Sequence, residues 1–250
     1  MMRIATTTLQ NSFGKYLKMA SEGKMIFIEK NQKPVAVLKG IGEEERFYIR
    51  EEAAKYESPK RYTYEEFLEM SNDEDNVKQY ELIDGQIYML ASPRFPHQVA
   101  LNEIFVQLYN WFKGKSCIPL TAPFDVKLFG EADKFEDNPN VVQPDILVIC
   151  DQDKIKEDGT YDGIPTLVVE VLSPSTKSKD IMKKSQLYME SGINEYWVVD
   201  TDMKHMIIYS FEERKLKEQQ IVNGGASGKS LAFEGLIIDT KDVYMKDAKG

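Results

Sequence analysis

The sequence predicts an α/β fold, an α+β mixture on a central mixed sheet, and three observations lead there. Short apolar runs bounded by turn residues, "PDILVIC" (144–150) and "TLVVEVL" (166–172), read as buried strands. Amphipathic stretches of helical period, such as "HQVALNEIFVQLYNWF" (97–112), lie between such runs. The dipeptide Asp84-Gly85 joins two strand-like runs in "QYELIDGQIYML", a strong two-residue hairpin signal.

Composition narrows the class. A chain of 250 residues with 42% hydrophobic content can bury a real core, so global disorder is excluded. "MMRIATTTLQ" has no apolar h-region and no apolar run approaches a membrane span, so neither a signal peptide nor a transmembrane helix is expected. Cys117 and Cys150 have no metal-type spacing and are expected as reduced thiols of a cytoplasmic protein. The net charge of −9 argues against non-specific coating of nucleic acid. The charge is uneven, however. Residues 1–40 carry seven basic and two acidic side chains, a balance of +5, which leaves −14 for the remainder.

Residues 1–40 read as an extended start, one helix and a hairpin. "TTTLQNSFGKYLKMASEG" aligns Leu9, Phe13, Tyr16, Leu17 and Ala20 on one helical face, with Gly23 as a stop. "MIFIEKNQKPVAVLK" reads as two strands around a turn near Asn31-Gln32. So short a segment seldom builds a stable core, so a homodimer is expected. Residues 41–60 are a charge-dense connector ended by Pro59.

The remaining segment, 61–250, opens with a capping box, Thr63 with Glu66, and continues through the Asp84-Gly85 hairpin to the helix beginning near His97. "CIPLTAPFDVKLF" reads as a strand and "EADKFEDNPN" as a loop. "TKSKDIMKKSQLYMESG" is a helix closed by Gly192, and "EYWVVD" with "HMIIYSF" a further hairpin.

The chemistry centres on Glu170. Val168 and Leu172 share its face of the strand and are apolar, so Glu170 is no tooth of a solvated row. A buried carboxylate needs a cation or a proton. The plain alternative is a structural ion pair with Lys or Arg. The sharper one is convergence of Glu170 with Asp145, at the start of the neighbouring strand, and Glu81 in "YELIDG" on a hard cation, Mg²⁺ or Mn²⁺. Taken singly, Asp145 is equally well a turn-forming Pro-Asp and Glu81 a cross-strand salt bridge. On the helix after Glu170, Lys184 shares a stripe with Ile181 and Tyr188, and also follows Asp180 at i+4. It could face the acids and hold a phosphate, or be a surface lysine paired with Asp180. Lys183 projects elsewhere. His97, at a helix start, is a candidate phosphate contact or a hydrogen-bonded structural histidine. No phosphate loop, dinucleotide fingerprint, nucleophile elbow or zinc spacing is present.

"YELIDGQIY", "PRFPHQVALNEI", "QPDILVI", "LVVEVLSPST" and "DIMKKSQLYMESGINEYWVVD" together resemble the Uma-two-type family of restriction-endonuclease-like proteins, over about 61–222. The resemblance implies a PD-(D/E)xK nuclease core that binds Mg²⁺ at an acidic cluster. Asp145 matches the motif's Asp, Glu170 its acidic member and Glu81 the upstream acid. Where the motif has lysine this chain has Leu172. The family's Asp-x-x-x-Lys-x-x-x-Tyr helix matches Asp180, Lys184 and Tyr188, so Lys184 is the expected replacement. "ATTTLQNSFGKYLKMA" and "IFIEKNQKPVAVL" resemble the prevent-host-death (Phd) antitoxin family. That likeness implies a dimerising, DNA-binding module at 1–40, with 41–60 where such proteins hold a toxin. The combined expectation is a Mg²⁺-dependent endonuclease with Asp145, Glu170, Glu81 and Lys184 in its site. Its rival is a non-catalytic DNA-binding autoregulator with a degenerate nuclease fold, which Leu172 favours and the retained acids disfavour.

Overall fold

In a computed structural model the described residues are 2–30, 33–39, 60–71, 78–172 and 179–245. The chain divides into two units, Met1–Pro59 and Lys60–Gly250. The connector 41–59 and the turn expected at Asn31-Gln32 lie outside the described residues.

In the first unit, β1 (Met2–Ala5) runs parallel to β2 (Ile26–Lys30), which pairs antiparallel with β3 (Lys33–Leu38). The single helix expected between them is two, α1 (Thr6–Asn11) and α2 (Phe13–Ser21). Ser12 breaks it, at φ −145° and ψ 35°, with its N–H turned to the Leu9 carbonyl. Ser12 stands at the N-cap of α2, a position that serine favours over a helix interior. The break also splits the expected face. Tyr16 and Ala20 are buried, Tyr16 against Ile4, Ile26 and Ile28, while Phe13 and Leu17 remain 52% and 48% exposed.

In the second unit, α3 (Tyr64–Ser71) starts with the reciprocal bonds of a capping box. The Glu66 N–H donates to Thr63 Oγ1 and the Thr63 N–H to Glu66 Oε2. β4 (Tyr80–Ile83) and β5 (Gln86–Met89) form the hairpin. Asp84 and Gly85 both take positive φ, 50° and 69°, as its primed turn requires. The stretch 117–129, expected as one strand, is two: β6 (Ile118–Thr121) and β7 (Val126–Leu128), in different sheets. Pro123 lacks the N–H that a continuing ladder needs, and Pro119 is tolerated because β6 is an edge strand. With β8 (Asn140–Val142), the four strands order as β5-β4-β8-β7, all antiparallel.

The main sheet orders six strands. They run from β13 (Lys215–Asn223) through β12 (His205–Glu212), β11 (Glu195–Asp200), β10 (Leu167–Leu172) and β9 (Ile146–Ile149) to β6. Only β10 and β11 are parallel. A parallel pair needs a crossover, and α5 (Lys179–Ser191) supplies it. Side-chain alternation then builds a core on each face. On one, α4 (Phe95–Phe112) lays Ala100, Ile104, Leu108 and Phe112 over Ile146, Val148, Leu167, Val169 and Trp197. On the other, α5 and the small sheet cover Leu147, Val168, Leu172, Tyr196 and Val198 with Leu187, Tyr188, Ile83 and Val142. Glu170 points to this second face. Among the described residues no helix is long and apolar enough to cross a membrane.

Cys117 and Cys150 correct an expectation: they form a disulfide, not two thiols. They are 33 residues apart but stand one step beyond the Ile118↔Ile149 pair, cross-strand neighbours with Cα atoms 4.1 Å apart. The support that free thiols lent to a reducing compartment is thereby withdrawn.

Glu195 is a second acid in an apolar strand, fully buried. It accepts hydrogen bonds from Trp197 Nε1 (2.7 Å), Ser230 Oγ (2.6 Å) and the N–H groups of Leu231 (3.1 Å) and Ala232 (2.8 Å). Glu195→Ala leaves these buried donors unpaired and should cost at least about 3 kcal/mol. Both tryptophans, Trp111 and Trp197, belong to this unit, so the urea midpoint read by tryptophan fluorescence measures it directly. An unchanged midpoint would refute the anchoring role.

Candidate active site

Glu81, His97, Glu170 and Lys184 come from β4, α4, β10 and α5, Asp145 immediately precedes β9, and all five line one cavity of about 690 Å³. Register explains the first convergence. The last antiparallel pair of β9 and β10 is Val169↔Ile146, so Asp145 and Glu170 stand at the next rung. Asp145 Oδ2 accepts the Val171 N–H at 2.7 Å and faces His97 Nε2 at 3.2 Å. Glu81 Oε1 accepts the Gln143 N–H at 2.8 Å, which ties β4 to the segment leading into Asp145.

Lys184 joins the acids. Its Nζ lies 2.8 Å from Glu170 Oε1 and 2.9 Å from Glu81 Oε1. The Tyr188 hydroxyl, one turn on, donates to the same Glu170 oxygen at 2.6 Å. The helical spacing that separates Lys184 from Tyr188 therefore aims both at one carboxylate. The Lys184 side chain is 11% exposed, so the surface pairing with Asp180 is not its environment; the Asp180 side chain is outside those described. Lys183 turns away to donate to the Tyr88 hydroxyl at 2.8 Å. Leu172, where the motif expects lysine, is buried among Val168, Tyr188 and Val198.

The electrostatics follow from burial. Desolvation, first, and then the charges of Asp145 and Glu81 raise the Glu170 pKa, and Lys184 pulls it back; the outcome is about 7. Burial works against the Lys184 ammonium, but Glu170 and Glu81 more than offset it and raise its pKa, so it stays charged. Burial also opposes the His97 imidazolium, and the hydrogen bond and charge of Asp145, with Glu170 behind it, reverse this to a raised pKa. Burial and then the Glu170 charge push the Tyr188 hydroxyl far up, which keeps it a donor.

Two lining residues escaped the sequence reading. Gln143 precedes Pro144-Asp145, and its adjacency to the acid was the available signal. Tyr196 sits in the apolar run "EYWVVD", where nothing separates it from a core aromatic. Gln143 Oε1, Tyr196 OH and His97 Nδ1 are buried without a hydrogen-bond partner among the described residues, and all three residues line the cavity.

Among the described residues no three of His, Cys, Asp or Glu form a ready-made metal cage. Mg²⁺ does not require one, since it binds through one or two carboxylates and completes its shell with water and phosphate. Among those residues, hydrogen bonds to Asp145 and Glu170 engage Oδ2 and Oε1 alone. The second oxygens, Asp145 Oδ1 and Glu170 Oε2, fit such an ion.

The family model Uma2, described as "Putative restriction endonuclease", matches residues 64–241. The chain is 27% identical over 146 residues to "Uncharacterized protein slr1290" of Synechocystis sp. (strain ATCC 27184 / PCC 6803 / Kazusa), covering 58% of this chain and 72% of that protein. It is similar in fold to the crystal structure of "a putative nuclease belonging to DUF820" from Anabaena variabilis ATCC 29413. The TM-score is 0.56 at 21% identity, over 72% of this chain and 96% of the other.

The raised Glu170 pKa sets a pH dependence. Between its ordinary 4.5 and about 7 the folded state holds the proton more tightly than the unfolded one. Stability contributed by that proton is present at low pH and lost as pH rises through this window. Glu170→Gln carries no such proton. In EDTA, wild type should lose about 3 kcal/mol relative to Glu170→Gln from pH 4.5 to above 7, in urea titrations at each pH. Parallel pH profiles would rule out a strained Glu170 carboxylate.

Proposed function

The chain belongs to the Uma2 family of restriction-endonuclease-like proteins, and on that premise we propose that residues 61–250 form a metal-dependent endonuclease that hydrolyses nucleic-acid phosphodiesters. The observation that carries this reading is the meeting of Asp145, Glu170 and a lysine at one cavity. Asp145 and Glu170 would hold Mg²⁺ or Mn²⁺ through their second oxygens. A cation there supplies charge stabilisation at phosphorus and acidifies water. Glu81 spends Oε1 on Lys184 and the Gln143 N–H, so its part is chiefly to position Lys184, with an auxiliary ligand role left to its other oxygen. Lys184 keeps its proton, so it is no general base; it stabilises negative charge and replaces the lysine absent at Leu172. His97 donates from Nε2 to Asp145 and keeps Nδ1 for a phosphate oxygen.

One observation favours the second reading, a non-catalytic nucleic-acid-binding autoregulator. Lys184 pairs with both Glu81 and Glu170, a cation for the two acids that no metal need supply. Calorimetric titration separates the two. The endonuclease reading expects Mn²⁺ binding that Asp145→Asn abolishes, and cleavage of plasmid, linear or single-stranded DNA. Lys184→Met should lower cleavage about 10²-fold or more while Mn²⁺ affinity is kept or tightened, since a competing cation is removed. No Mn²⁺ binding by the parent leaves the autoregulator. Full cleavage by Lys184→Met rejects the displaced lysine.

The N-terminal unit adds a second part to the proposal, an antitoxin-like module that dimerises and contacts DNA phosphates. Its support is the +5 balance of residues 1–40 and the exposed apolar Phe13, Leu17, Val35 and Val37 beside a small core. Residues 41–60 are proposed as a place for a toxin partner. A chain starting at Arg61 should shift toward monomer in light scattering and lose most salt-sensitive binding to duplex DNA. Retention of both would remove this role from the N-terminal unit.

A further inference from the structure

The cavity beside the acids is larger and more apolar than a phosphate needs. Its volume of about 690 Å³ lies in the range of clefts that enclose small organic ligands, roughly 300–1,000 Å³. Besides the acids, its lining includes Ile83, Leu90, Leu101, Phe105 and Pro123. A phosphodiester and its cation are polar and gain nothing from such walls. A nucleobase does, because its faces are apolar and its edge is a row of donors and acceptors.

Two groups in this cavity lack a partner that a base edge would supply. Gln143 Oε1 and Tyr196 OH are buried and unpaired among the described residues. The Gln143 side chain is held in place because its Nε2 donates to Asp125 Oδ1 at 2.8 Å, which fixes Oε1 as a free acceptor. The Tyr196 hydroxyl stays protonated, because burial and then the Glu170 charge push its pKa far up, and it is therefore a donor. Acceptor and donor together suit the mixed edge of an unpaired base. Desolvated polar atoms are costly unless a ligand pairs them. The rim fits a strand whose bases are exposed. Tyr88 and Met89 line the cavity, Tyr88 partly buried and Met89 58% exposed. Aromatic and apolar side chains of this kind are surfaces on which unstacked bases pack.

We propose that this cavity seats one unstacked base, so that the nucleic acid taken by the site is single-stranded or locally opened, not intact duplex. In a duplex the base faces are covered by their neighbours and the pairing edges by the opposite strand. A base can enter a concave pocket only after leaving the stack. The assignment of the adjacent phosphodiester to Asp145 and Glu170 rests on the endonuclease reading; the base pocket itself rests on the cavity.

The test is fluorescence anisotropy on the full chain in EDTA, where binding is read without cleavage. The probes are fluorescein-labelled single-stranded DNA and RNA and a blunt duplex. Ala91 lines the cavity at an exposed position, so Ala91→Trp adds bulk at the cavity without entering the core. Gln143→Leu removes the unpaired acceptor and is the second variant if Ala91→Trp fails to fold by circular dichroism. Each folded variant should bind single strands about tenfold or more weakly than the parent, the loss of one seated base, with duplex affinity unchanged. Single-strand affinity equal to the parent's in a folded variant overturns the proposal, as does a parent that holds duplex as tightly as single strands through this cavity. Cleavage of intact duplex with Mn²⁺, undiminished by Ala91→Trp, also overturns it and leaves the endonuclease reading standing. The expected binding losses without any cleavage retain the base pocket and remove the endonuclease.

Discussion

One buried ammonium organises this molecule's polar interior. Lys184 reaches from α5 to Glu170 on the main sheet and Glu81 on the small sheet, at 2.8 and 2.9 Å. Without it, two acids of a mostly desolvated cluster would stand as like charges in a low dielectric, a cost that proteins avoid by protonation or pairing. The contact also sets geometry. It ties the crossover helix to both sheets at the cavity wall, and Tyr188 adds a second bond from the same helix face. Glu170 nonetheless keeps a raised pKa, because burial desolvates it and the charges of Asp145 and Glu81 add to that more than a single lysine offsets. An incompletely compensated carboxylate at a cavity is the condition in which a divalent cation or a proton is welcome.

Glu195 shows what a purely structural acid looks like in the same sheet. It is fully buried and met by four neutral donors, three of which close the segment 230–232 onto the sheet. The contrast is instructive because each acid is set in an apolar strand, so local sequence does not tell them apart, while the Glu170 side chain keeps 13% of its surface at the cavity. They differ in their partners and in what they border. Glu195 borders packed chain, whereas Glu170 borders a cavity with unpaired polar atoms. That difference, not the charge itself, separates a candidate site from a fastening.

The position of Leu172 fits this picture. Its side chain belongs to the second core with Val168, Tyr188 and Val198 and also lines the cavity, where it adds an apolar wall and no charge. The amine arrives from Lys184, fourteen residues beyond Glu170, on a helix that the parallel β10–β11 connection must supply in any case. The fold thus offers a second route to the same point in space.

Much of this was legible in the chain itself. The hairpin at Asp84-Gly85, the capping box at Thr63, the stop at Gly192 and the apolar strands β9 and β10 are local, and local chemistry specifies them. The candidate residues Asp145, Glu170, Glu81, Lys184 and His97 stood out because polar groups in apolar periodicity need a reason. The sequence was weaker where long-range geometry overrides pattern. The amphipathic stripe of residues 9–20 ran across a break at Ser12, and 117–129 was split between two sheets by Pro123. Cys117 and Cys150 had no informative spacing, yet strand register set them side by side. Gln143 and Tyr196 were invisible for the same reason. Whether a buried polar atom is paired or left facing a cavity depends on neighbours remote in sequence, brought together only by packing. Sequence alone therefore marked which charged residues stand in apolar periodicity and where most of the strands and helices lie. Tertiary structure alone decided which of those residues meet, because meeting is a property of register and layer packing that no local pattern encodes.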